Sequence, residues 1–65
     1  MTFEIGDIAL YRGIGQVPRL CRIIGKGEEI GAVVYDNDLG KWGYAEQYEP
    51  ATEEQIAAFE KAEAA

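Results

Sequence analysis

Apolar and polar residues alternate in short runs through most of the chain, and switch to helical spacing only near its end. Thr2 to Arg12 alternates early, with Phe3 and Ile5 on one side, and Gly6-Asp7 interrupts as a turn or bulge. Beyond it Ile8 and Leu10 point one way, and Ala9 and Tyr11 the other. Gly13-Ile14-Gly15 reads as a flexible loop, and Val17–Ile24 as a second strand with apolar residues in both phases. Pro18 suits an edge or a bulge. Gly25–Glu29 is expected to be a hairpin loop, Ile30–Tyr35 a third strand, and Asp36–Gly40 the next hairpin loop.

The organising stretch is Lys41 to Thr52. It opens as a fourth strand with Trp42 and Tyr44 on one face. Ala45-Glu46-Gln47 lacks alternation and reads as a short helical turn, with a brief fifth strand at Tyr48–Pro50. Thr52-Glu53-Glu54-Gln55 fits a capping box, so a helix is expected over residues 53–63. Ile56 and Phe59 form its narrow apolar stripe, continued by Ala62. Trp42 and its neighbours are expected to close a small β-core, with Ile56 and Phe59 plugging one flank.

Four or five short strands within about fifty residues suggest a small antiparallel barrel. Three segments carry a resemblance: Phe3–Tyr11 as the entering strand, Ile30–Tyr35 as a central strand, and Trp42–Thr52 as strand, turn and exit. They resemble an SH3-like barrel of the group that includes KOW and Tudor-type domains, and the overall style resembles small phage or prophage accessory proteins. The expected fold is therefore mainly β: a small SH3-like antiparallel barrel of four to five strands with one C-terminal α-helix. Residues 1–65 would make one domain, with the barrel over 3–50 and the helix over 52–63.

Composition narrows the function. The chain has 65 residues, so its core is small. Its content of 48% apolar residues, with four Tyr, two Phe and one Trp, still argues for folding over disorder. Cys21 stands alone, which excludes an internal disulfide and fits a reducing compartment. Neither a signal peptide nor an apolar run of spanning length is visible, so the expected location is the cytoplasm.

Catalytic and metal chemistry find little to work with. The chain has no His and no Ser, and Cys21 lies in an expected strand without a proton-accepting neighbour, so a buried structural thiol is favoured over a nucleophile. One Cys without His makes no structural zinc site. Asp36, Asn37 and Asp38 offer oxygen ligands, but a calcium loop closes with Glu at its twelfth position, and position 47 is Gln. The expectation is a protein that is not an enzyme, with no cofactor and no metal.

Binding remains. Tyr11, Tyr35, Trp42, Tyr44 and Tyr48 exceed what so small a core requires. The SH3-like resemblance implies an aromatic peptide groove and the Tudor-like one an aromatic cage, against the simpler reading of half-buried packing residues. Charge is uneven: residues 1–27 balance at +2, whereas residues 28–65 set two lysines against ten carboxylates, a balance of −8. A protein-interaction module would offer a basic partner the aromatic set together with Glu46, Glu49, Glu53, Glu54 and Glu60. The alternatives are a KOW-like nucleic-acid binder using Arg12, Arg19, Arg22 and Lys26, opposed by the net charge of −6, and a structural subunit of a homo- or hetero-oligomer, a homodimer included.

Overall fold

The computed structural model describes residues 2–65. Five strands follow one another as β1 (Ile8–Tyr11), β2 (Arg19–Glu29), β3 (Ala32–Asn37), β4 (Trp42–Tyr44) and β5 (Tyr48–Pro50), and the chain ends in the helix α1 (Glu53–Ala64). All pairings are antiparallel, in the order β4-β3-β2-β1-β5. The fold is thus mainly β, one five-stranded sheet plus a C-terminal helix, as the alternation implied.

The bend in β2 shapes the sheet. Its first residues pair with β1, from Arg19 opposite Tyr11 to Arg22 opposite Ile8. Its later residues pair with β3, from Ile23 opposite Asn37 to Glu29 opposite Ala32. The register shifts between Ile23 and Gly25, leaving Ile24 as the extra residue of a bulge. A bulge bends a strand and increases its twist, so one strand serves both halves of the sheet. The tight connection from β4 to β5 is a single 3-10 turn, Ala45–Gln47.

The interior is built from rings. Phe3, Tyr11, Tyr35 and Tyr48 are buried together with Ala9, Cys21 and Ile23. The inward residues of β1 and β2 include the small Ala9 and Cys21, which leave room for large rings from elsewhere. Tyr35 meets Phe3 and Tyr48 edge-on, with centroids 5.5 and 5.7 Å away. Tyr11 lies 5.0 Å from Tyr48 at a tilt. Such pairs add about 0.5–1.5 kcal/mol beyond area burial.

Several boundaries differ from those read off the pattern. Phe3 is buried, but it lies outside β1, ahead of a turn over Glu4–Asp7 in which Gly6 has φ +100°. In that turn the Asp7 N–H donates to the Glu4 carbonyl. Gly25–Glu29 is not a loop: β2 runs on through it, and the hairpin turns at Ile30-Gly31. Both turn residues have positive φ, +51° and +76°, the signature of a type I′ turn. Asn or Asp usually precedes Gly there, and an Ile that is 96% exposed hides the signal. Likewise β3 continues through Asp36-Asn37, so the following loop is shorter than expected.

Helix α1 begins as expected: Thr52 Oγ1 accepts from the Gln55 N–H, and Gln55 Oε1 accepts from the Thr52 N–H. It docks lightly, with none of its residues buried and Ile56 and Phe59 partly covered. Its far end is held by Arg22, which donates to both carboxylate oxygens of Glu63 and to the Gly6 carbonyl, while its guanidinium stands 5.7 Å from the Phe59 ring centre. No helix is long and apolar enough to cross a membrane among the described residues.

Two outcomes follow from these contacts. Ile30→Asn removes a β-branched side chain from the left-handed region and should stabilise the protein by about 1 kcal/mol, read as a higher urea midpoint. Arg22→Gln should speed amide hydrogen exchange along α1 while leaving the β2 and β3 amides protected, since the helix end loses its tie and the core does not.

Candidate functional site

The five aromatic residues singled out from the sequence divide into two groups. Tyr11, Tyr35 and Tyr48 are core residues, 7%, 0% and 4% exposed, and present no ring to a ligand. Their hydroxyls are committed inside: Tyr48 donates to the Tyr35 carbonyl and accepts from Asn37 Nδ2, Tyr35 accepts from the Phe3 N–H, and Tyr11 donates to the Trp42 carbonyl. The expected five-ring binding face is corrected accordingly, because three of the rings are what the interior is made of.

Trp42 and Tyr44 are the other group. The structure corrects the idea that Trp42 closes the core, for its side chain is 51% exposed. The residue between them faces inward instead. Gly43 is buried, and a Cβ there would lie 2.7 Å from Tyr11 Cε1 and 2.9 Å from Gln47 Oε1. No side chain fits that gap, so glycine is required and the two aromatic rings are turned to the outer face. There they stand edge-to-face, 5.6 Å between centroids at 71°. Gln47 fixes the local backbone by accepting from the Tyr44 N–H at 2.9 Å.

Cross-strand register sets their neighbours. Asp36 is opposite Trp42 on one side and opposite Gly25 on the other, while Val34 lies between Tyr44 and Gly27. These six positions therefore share the outer face. The two glycines leave it bare along β2, and Asp36 Oδ2 lies where a Gly25 Cβ would be, at 2.7 Å. The result is a shallow surface with a Trp–Tyr pair at one side, Val34 as its floor and one carboxylate beside it.

The acidic candidates are on other elements. Glu46 is in the 3-10 turn, and Glu53 and Glu54 occupy the first turn of α1, all three exposed. Glu49 on β5 is engaged by Arg12, at 3.0 Å. Of the basic residues, Arg12 is paired with Glu49 and Arg22 with Glu63. An open cleft of about 260 Å³ lies where the start of α1 meets the sheet, lined chiefly by Phe3, Ile8, Pro50, Ala51 and Ile56, and neither Trp42 nor Tyr44 borders it.

Cys21 is fully buried, with its Sγ 3.6 Å from the Ala9 carbonyl oxygen. Burial, and secondarily the charge of Asp38, pushes its thiol from 9.0 up to about 11, so it stays protonated at neutral pH. Tyr48 is likewise pushed from 10.0 up to about 12 by burial, against the lowering effect of the Asn37 hydrogen bond. No three carboxylate or thiol groups converge as a metal site among the described residues.

Comparison of the chain with protein-family models, curated proteins and solved structures finds no match.

The two raised values give the protein an alkaline limit. An unfolded chain releases these protons near pH 9 to 10, whereas the folded chain holds them to about 11 and 12. The folded state then binds more protons, so stability is intact below about pH 9 and falls as pH rises through that window. The urea midpoint should show this decline, and Cys21→Ala should remove its earlier part.

Proposed function

We propose that the protein is a non-catalytic interaction module of the SH3-like barrel group, working in the cytoplasm by binding a partner protein with a basic surface. The strand order β4-β3-β2-β1-β5, with a 3-10 turn between the last two strands, supports the small-barrel reading. The observation that carries the binding role is Trp42: the one Trp of the chain is 51% exposed on a sheet face, set against Tyr44, in a protein whose core is short of large aliphatic residues. Trp and Tyr are the residue types on which binding energy concentrates.

Glu46, Glu53 and Glu54 are exposed, so the acidic half of the molecule would steer a basic partner toward it. A phage or prophage accessory or inhibitor protein fits a module of this size and charge. A nucleic-acid role draws less support, because Arg12 and Arg22 already hold carboxylates of the same chain.

Retention of host proteins on the tethered chain at low ionic strength tests the proposal. The expected result is a partner that elutes with salt and is lost in Trp42→Ala, with thermal stability nearly unchanged because the side chain is outside the core. Equal retention by both proteins would end the proposal.

A further inference from the structure

The outer face of β3 and β4 has the chemistry of a receptor for one kind of side chain. Trp42 and Tyr44 present aromatic surface, and Asp36 stands in the same cross-strand row as Trp42. The ion pairs are Arg12–Glu49 and Arg22–Glu63, so Asp36 has no cationic partner among the described residues. On the β2 side the rows end at Gly25, over which the Asp36 carboxylate itself lies, and at Gly27, and neither residue adds a side chain of its own to the face.

The geometry points to this face as a docking site for an arginine side chain of an extended segment on a partner protein. The inference rests on the interaction-module reading and names the chemistry of its ligand. A guanidinium is planar, so it lies flat over an indole while directing its N–H groups edgewise to a carboxylate. Trp42 supplies the first contact and Asp36 the second, and they are cross-strand neighbours. Neighbours directly opposite on a sheet have Cβ atoms about 5 Å apart, a separation that one guanidinium spans. An ammonium is a compact, strongly hydrated point charge with no flat face to stack, so lysine gains less here. Tyr44 holds the indole edge-on, and Val34, 8% exposed, closes the floor beneath.

Trp42 is the only Trp, so its emission reports this face alone. The probes are a glycine-spaced arginine peptide and a lysine peptide of identical length and charge, titrated into the intact protein at low ionic strength. The arginine peptide should quench and shift the emission with an affinity on the order of tenfold above that of the lysine peptide. Asp36→Asn, at an exposed position, should keep the melting curve and weaken the arginine peptide by about tenfold. Equal responses to the two peptides, or an unchanged affinity in Asp36→Asn, would overturn the inference. Salt-sensitive host-protein retention that is lost in Trp42→Ala but unaffected by Asp36→Asn would overturn it too, while leaving the interaction-module reading in place.

Discussion

A phenol taken out of water needs a partner for its hydroxyl, and that requirement organises this molecule. Tyr48 sits at the centre, 2.9 Å from both the Tyr35 carbonyl oxygen and Asn37 Nδ2. Asn37 is itself 1% exposed, and its Oδ1 accepts from the Leu39 and Lys41 N–H groups, which shapes the turn leading into β4. The Tyr35 hydroxyl accepts from the Phe3 N–H, which ties the start of the chain to the core. Among the described residues no buried side-chain polar atom lacks a partner. An unsatisfied buried group would cost about 1–3 kcal/mol, a large share of the stability of a domain this small.

The same economy explains the outer face. Because the interior is filled by Tyr11, Gln47 must pass close to β4, and Gly43 is the residue that lets both approach. Side chains on a strand alternate, so an inward Gly43 obliges Trp42 and Tyr44 to stand outward. The bulge at Ile24 acts in the same direction, because it brings Gly25 and Gly27 into the rows of Asp36 and Val34. Core packing and surface chemistry are thus two sides of one short strand.

Much of this was legible in the residues. Thr52 and Gln55 announced the helix start, the spacing of Trp42 and Tyr44 gave their shared face, and the missing alternation at Ala45-Glu46-Gln47 marked the turn before β5. The roles of Tyr11, Tyr35 and Tyr48 were not legible, since a tyrosine is buried only if something distant accepts or supplies its hydrogen bond. Asn37 is 11 residues from Tyr48, and Tyr35 is 32 from Phe3. The length of β2 was hidden for a different reason. Its second half is exposed throughout from Lys26 to Glu29, so no apolar face imposes a period of two on it. The two orientations of Trp42, inward or outward, differ by a one-residue change of phase that only the space around Gly43 decides.

The ends of the chain are unequal as places to attach anything. Phe3 is a plug, 4% exposed, with its own amide bound to the Tyr35 hydroxyl, so a fusion or surface linkage ahead of Thr2 would begin one residue away from the sealed interior. The last residues of α1 are exposed, tied to the rest of the molecule through the Glu63 carboxylate on Arg22, in a molecule 38 Å along its longest axis. A carrier, dye or second domain joined after Ala65 would leave the sheet undisturbed, which makes the helix end the better handle for anchoring the protein.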